Sequence, residues 1–416
     1  MLSILSEGNT TLDEYPELLR RYGYGAVDCV GASYVVSAPD HTLGCPPRSH
    51  YYGYYPVGAI AVALPVFVGM DVILRMAGPW AASLLGSHST PVILAFLERD
   101  YDASHALVEL VIASFLIGVA AAFVFLTARL YLPVGGSVLL ALLFAFGTAA
   151  WSTGSRALWQ HGPDMLMLSV ALYLLAASER KPALLAWCAA PLTVAYFVRP
   201  TSLLVLTSVG AFVCLHRRAW ILRWTLLGLA TAAPFIAYNV AIYHRLLQPY
   251  FTRQHFLEAS FSNVGRFLSA LAGQCISPSR GVFVFSPFLL FSIYGIVLAF
   301  RKGWLKPLHF YLTGALVLHW VVISAFADWT AGFSFGPRYF SDVIPIFMFF
   351  LIPVFSAFLK GEVRRPAAAL FVVCALAGFL INLRGATNWA VEEWNNPDVN
   401  PARAWDWHDP QFLRGL

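Results

Sequence analysis

Long apolar runs alternate with short polar or glycine-rich breaks along most of the chain. After residue 56 the runs fall at about 57–76, 104–128, 133–150, 164–178, 183–198, 200–216, 220–243, 282–300, 308–327, 343–359 and 366–383. They predict an all-α polytopic membrane protein of about eleven transmembrane helices, since a hydrocarbon core of ~30 Å takes ~20 helical residues and lipid forces each backbone group to be satisfied within its own segment. Residues 91–97 add an apolar piece too short to span. Residues 1–50 are polar and mixed, and predict an amphipathic helix over 11–22, β-like alternation over 31–37 and a hairpin closed near Asp40 and Gly44, lying on a membrane rather than crossing it. The expected layout is an extramembrane segment over 1–55, a transmembrane domain over 56–384 and a polar tail over 385–416.

Composition agrees with the pattern. The 416 residues are 59% hydrophobic and 12% charged, with mean hydropathy +0.67, more apolar surface than a soluble domain of this size buries. The net charge of +5 sits mostly in short turns between apolar runs, which argues against nucleic acid as a partner. Glu179-Arg-Lys181, His216-Arg-Arg218 with Arg223, Arg301-Lys302 with Lys306, and Lys360 with Arg364-Arg365 read as cytoplasmic turns. Segments 151–164, 198–201, 244–280 and 328–342 then fall together on the opposite face. Counting back through eleven spans puts residues 1–50 on the cytoplasmic side, whereas their composition suits the loop face, and the weak piece at 91–97 is the place for a hidden crossing.

The chemistry-bearing residues lie in those loops. Arg156, Gln160, His161 and Asp164 stand at the mouths of two helices, with His161 a base or a phosphate ligand and Asp164 a residue that also suits a helix start. Cys275-Ile-Ser-Pro-Ser-Arg-Gly281 offers hydroxyls including Ser279, backbone N–H groups and the Arg280 guanidinium to an anion. Arg199, before Pro200, is an arginine between two apolar runs. In the loop over 328–342, Arg338 follows Gly336-Pro337 and is flanked by Tyr339 and Phe340; Asp328 and Asp342 complete its charges, Asp342 at the i,i+4 spacing of an ion pair with Arg338. Together Arg199, Arg280 and Arg338 predict a positively charged, aromatic-walled cleft for an amphiphilic anion such as a lipid phosphate. Four cysteines lie in or beside apolar segments, while Cys29 and Cys45 leave a disulfide open if residues 1–50 face an oxidising compartment. Metal-ligand spacings are missing from the sequence, and a divalent ion is left open as a cofactor. The tail from Asn388 to Asp409, rich in Trp, Asn and Asp, reads as an interfacial anchor or as a lip over the loop face.

Tyr-Tyr-Pro-Val-Gly58, Ala-Leu-Trp-Gln-His-Gly-Pro163, Ser-Pro-Ser-Arg-Gly-Val-Phe-Val-Phe-Ser-Pro287 and Gly-Phe-Ser-Phe-Gly-Pro-Arg-Tyr-Phe-Ser-Asp-Val-Ile-Pro345 resemble segments of bacterial membrane proteins of the GT-C glycosyltransferase superfamily. Aminoarabinose transferases and protein mannosyltransferases are its better-understood distant members. The resemblance implies a multi-span enzyme of the bacterial cytoplasmic membrane that takes a sugar from a polyprenyl-phosphate-linked donor. Transfer to a lipid, glycan or protein would occur on the periplasmic or outer face. In such enzymes arginines hold the donor phosphate, and an aspartate in the loop after the first helix is the base. Leu2-Ser-Ile-Leu-Ser-Glu-Gly-Asn-Thr-Thr-Leu-Asp-Glu-Tyr15 is similar to the segment just downstream of that aspartate, so the expectation is that the family's first helix and base precede Met1, with Asp13 and Glu14 as substitute bases. A transporter or flippase of a lipid-linked anion and a non-catalytic lipid-binding scaffold are the alternatives.

Overall fold

The computed structural model describes residues 1–416 except 2, 5–6, 17–18, 20–26, 33–34, 38–44, 86–89, 253–262, 302–305, 389–390, 392–399 and 415–416. The chain forms two compact units, one of residues 1–112 and 230–253, the other of residues 113–229 and 254–416.

In the first unit a three-stranded antiparallel sheet of order β2-β1-β3 is built from β1 (Val27–Val30), β2 (Val35–Ser37) and β3 (His50–Gly53). Cys29 of β1 pairs in register with Val36 and Tyr51 and is disulfide-bonded to Cys45, closing the possibility left open by the sequence. The residues before the sheet are tied to its β3 edge, Leu12 N–H donating to Tyr51 O at 2.8 Å and Tyr51 N–H to Asp13 Oδ1 at 2.8 Å. The helix expected over 11–22 therefore gives way at its start to a turn through Asp13 and Glu14; of the rest, Pro16 and Leu19 are helical and 17–18 and 20–22 lie outside the described residues. The expected turn near Asp40 and Gly44 also lies outside them. Helix α1 (Gly58–Leu85) is longer than the run that predicted it, and α2 (Thr90–Leu97) packs back on it. Phe96 meets Phe67 with ring centroids 6.0 Å apart, and a Cβ on Gly78 would stand 2.7 Å from Leu97. At eight residues, α2 is ~12 Å long and too short to cross by itself.

Helix α3 (Tyr101–Arg129) leads toward the second unit, which holds α4 (Val134–Gly147), α5 (His161–Ala177), α6 (Ala189–Val198) and α7 (Leu203–His216). Helix α8 (Ile221–Tyr243) passes from the second unit's residues into the first's. The second unit then continues with α9 (Val264–Ile276), α10 (Leu290–Arg301), α11 (Lys306–Ala325), α12 (Ile344–Leu359) and α13 (Arg365–Thr387). Among the described residues six helical stretches are long and apolar enough to cross a membrane: Gly58–Gly78, Asp102–Arg129, Arg218–Tyr243, Pro307–Ala325, Arg338–Leu359 and Arg365–Thr387. Six shorter apolar helices accompany them, including Val264–Ile276, which lies inside a stretch expected to be loop. The chain is thus largely helical with the apolar helices of a multi-pass membrane protein. The run expected as one span over 282–300 is broken into a turn at Val282–Phe285, a 3-10 turn at Pro287–Leu289 and α10, because Pro287 cannot continue a helix.

Helix α12 is the hub of the second unit, with most of its residues from Ile344 to Ala357 buried inside the protein. Its neighbour α10 comes close through Gly295, where a Cβ would fall 1.7 Å from Phe350 O, and Ser292 Oγ donates to Phe347 O at 3.0 Å. The 3-10 turn Arg338–Val343 runs directly into its N-terminus, so α12 fixes the residues that precede it.

Candidate functional site

Four of the predicted residues converge at the N-terminal end of α5. His161 opens α5, and its Nδ1 lies 2.7 Å from Asp342 Oδ1. The other carboxylate oxygen of Asp342 is 2.7 Å from Arg199 Nε. His161 Nε2 is approached by Arg338 Nε at 3.0 Å and by Arg199 Nη1 at 3.2 Å. Guanidinium nitrogens only donate, so Nε2 is the acceptor and the proton of the neutral ring sits on Nδ1, donated to Asp342. An imidazole occupied on both nitrogens holds two arginines in place, and its expected role as a base gives way to that of a spacer between them.

Local sequence explains the convergence. Pro200 disfavours the helical region for the residue before it; Arg199 is accordingly extended (φ −142°, ψ 126°), ending α6 and turning its side chain toward the cluster. Gly336 has φ +67°, the left-handed conformation glycine tolerates, with the Phe285 ring 2.7 Å from where a Cβ would be. The chain turns there, and Pro337 starts the 3-10 turn that delivers Arg338 and Asp342. The Arg338 guanidinium lies 4.3 Å from the centroid of Trp159, and that of Arg199 lies 5.7 Å from the ring of Tyr339, so the half-buried Trp159 and Tyr339 rings form an aromatic rim beside the charges. Asp164, a turn into α5, accepts from Ser202 Oγ at 2.7 Å, and its second oxygen finds no hydrogen-bond partner among the described residues.

The pairing of Asp342 with Arg338 expected from their spacing is replaced by Asp342 with Arg199 and His161. In a 3-10 turn the i,i+3 positions eclipse one another, and Arg338 and Asp342 diverge. Ser341 takes the local contact, its Oγ 2.5 Å from Arg338 O and 3.0 Å from His161 Nδ1.

Arg280 has a different job from the one expected. It is fully buried, and its guanidinium donates to the carbonyls of Thr330, of Ser279 (2.7 Å) and of Gly332 (2.8 Å), and to Gln411 Oε1 at 3.3 Å. These contacts tie the loop over 328–336 from within. The neighbouring Ser-Pro-Ser turn closes on itself: the N–H groups of Ser279 and Arg280 both donate to Ser277 Oγ at 3.1 Å, so the donors expected to meet an anion are spent internally. Ser279 Oγ lies 3.2 Å from Ser277 Oγ and 3.4 Å from Ala404 O. Arg156 donates to Gly385 O, and Asp328 accepts from Thr330 Oγ1 at 2.8 Å, a cap within its own turn.

Asp13 and Glu14 belong to the other unit. In place of a free base, Asp13 holds His50 Nδ1 at 2.6 Å along with Tyr51 N–H, and Glu14 accepts from Asn9 Nδ2 at 2.8 Å and Thr11 Oγ1 at 3.3 Å. No group of three or more His, Cys, Asp or Glu side chains suited to a metal ion comes together among the described residues.

Two participants escaped sequence reasoning. His319 in α11 donates from Nε2 to Tyr339 O at 2.8 Å, and a histidine inside an apolar run was the signal for it. Gln411 in the tail is fully buried: its Oε1 accepts from Gly336 N–H (3.1 Å) as well as from Arg280, and its Nε2 donates to Ser334 O and Val391 O, both at 2.9 Å. Gln411 thus straps the loop, and Trp405, inside the 388–409 stretch read as an anchor or a lip, donates from Nε1 to Ser269 Oγ of α9 at 3.0 Å. Comparison of the chain with protein-family models, with curated proteins and with solved structures finds no match.

Proposed function

We propose that this chain is an integral membrane glycosyltransferase of GT-C type, moving a sugar from a polyprenyl-phosphate-linked donor to a hydroxyl of a lipid, glycan or protein acceptor on the periplasmic or outer face of a bacterial cytoplasmic membrane. The observation that supports it is Arg338: half-buried, held at Nε by His161, roofed by Trp159 and backed by the buried Arg199–Asp342 pair at the head of an apolar helix. An arginine so oriented suits planar, bidentate contact with a phosphate, and the surrounding apolar helices suit a lipid tail.

In the transfer, the acceptor oxygen attacks the anomeric carbon and the bond from that carbon to the phosphate oxygen breaks. The phosphate leaves with the bonding pair, its developing charge facing Arg338, and the acceptor proton passes to a carboxylate base. Asp13 and Glu14 are bonded within the N-terminal unit, and the reading does not lean on either.

The test is to supply the purified protein with a polyprenyl-phosphate-linked sugar and follow free polyprenyl phosphate. A transferase releases it, a flippase moves the lipid intact across a vesicle wall, and a scaffold does neither. Arg338→Ala is expected to weaken donor binding by about tenfold or more, the value of a charge-assisted hydrogen bond. Unchanged affinity in a folded Arg338→Ala protein removes the reading.

A further inference from the structure

The far end of α5 carries a second cluster of charge that plays no part in the site above. Two turns of the same unit meet there, residues 178–182 after α5 and residues 217–220 after α7. Between them lies a cleft of about 330 Å³ lined by Ser178, Glu179, Pro182, Leu185, Arg217 and Trp220, within the ~300–1,000 Å³ of small-ligand pockets.

The walls are held by specific contacts. Arg180 Nη2 donates to Leu130 O at 2.5 Å and fixes the first turn. In the second, the Arg217 guanidinium lies 5.9 Å from the ring of Phe212, and that of Arg223 lies 5.1 Å from the ring of Trp220. Arg180, Lys181, Arg217, Arg218 and Arg223 lie in or just after these two turns with one carboxylate, Glu179, which pairs with Arg217 at 2.8 Å. Lys181 and Arg218 have no carboxylate partner among the described residues. The pair itself is open to solvent, its side chains 45% and 34% exposed, so its attraction is screened and another anion can compete with Glu179 for the guanidinium.

We propose that this cleft is a phosphate-binding site, with Arg217 as the principal ligand, Trp220 as the apolar wall and Glu179 as the group the phosphate displaces. Its ligand chemistry is a phosphate mono- or diester, supplied by an anionic lipid headgroup or by a small soluble ester; basic pockets between apolar helices are suited to the former. The site stands apart from the transferase reading and does not depend on it.

The test is calorimetric titration of the full-length protein in detergent with a short-chain phosphatidylglycerol, the matching phosphatidylcholine, glycerol 3-phosphate and inorganic phosphate. The expected result is binding of phosphatidylglycerol in preference to phosphatidylcholine. Arg217→Ala should weaken it by about tenfold, while Glu179→Gln strengthens it by up to about fivefold, because the competing carboxylate is gone. Binding of phosphatidylglycerol without glycerol 3-phosphate assigns the site to a lipid; equal binding of the two assigns it to the soluble ester. Failure of all four to bind, or titrations that Arg217→Ala and Glu179→Gln leave as in the wild type, overturns the proposal, since a merely structural ion pair gives that result.

Discussion

The two ends of α5 each carry an arginine–carboxylate pair, and the pairs differ in almost everything except chemistry. Over the ~25 Å of the 17-residue helix, the pair goes from Arg199–Asp342, with side chains 7% and 1% exposed, to Arg217–Glu179 in solvent. The first pair has lost its hydration, so each charge must be matched by protein groups, and His161, Ser341 and Thr201 crowd round to do so. The second keeps its water and is free to exchange partners. Burial makes one end a fixed scaffold and leaves the other as an exchangeable contact.

The comparison breaks most visibly at Asp342. Asp342→Asn leaves the Arg199 guanidinium buried without its counter-charge and is expected to cost about 3–5 kcal/mol, whereas Glu179→Gln at the other end should change stability by no more than about 1 kcal/mol. Thermal unfolding in detergent measures both, and equal losses would mean that burial does not divide the two ends. Arg280→Ala strips the loop of a donor to three carbonyls and Gln411, and a loss of about 2–4 kcal/mol is expected. That loss should appear as reduced yield of folded protein; a stable variant with selectively weakened phosphate binding would return Arg280 to the role its motif suggested. Gln411→Ala should cost about 1–3 kcal/mol and speed amide exchange at Gly336, while exchange in α5 stays at the wild-type rate. Smallest of all, raising salt from ~0.01 to ~1 M shortens the screening length from ~30 to ~3 Å, and should lower the contribution of Arg217 while leaving that of Arg199 in place, as read from wild-type and alanine-variant melting curves at each end.

The fold was legible where physics acts locally. Apolar runs mark helices because the backbone must satisfy itself, and His161, Arg199, Arg338 and Asp342 stood out because ionisable groups beside apolar runs are costly. What stayed hidden depends on burial and on distant partners. Arg280 and Arg338 look alike in sequence, each following proline-containing turns, yet one is sealed among carbonyls and the other is half open. Nothing around Gln411 marks it, since its four contacts lie 20 to 131 residues away. The i,i+4 expectation for Asp342 failed because that rule belongs to an α-helix, and the residues form a 3-10 turn.

The Gln411 strap also sets a schedule for synthesis. Gly336 is joined to a residue 75 positions later, so at the ~5–20 residues per second of translation the loop waits roughly 4–15 s for its last hydrogen-bond partner. During that interval Arg280 and the loop carbonyls of Thr330 and Gly332 have one another but not Gln411, and a chain stopped just short of residue 411 would carry α1 to α13 but lack this clasp on Gly336.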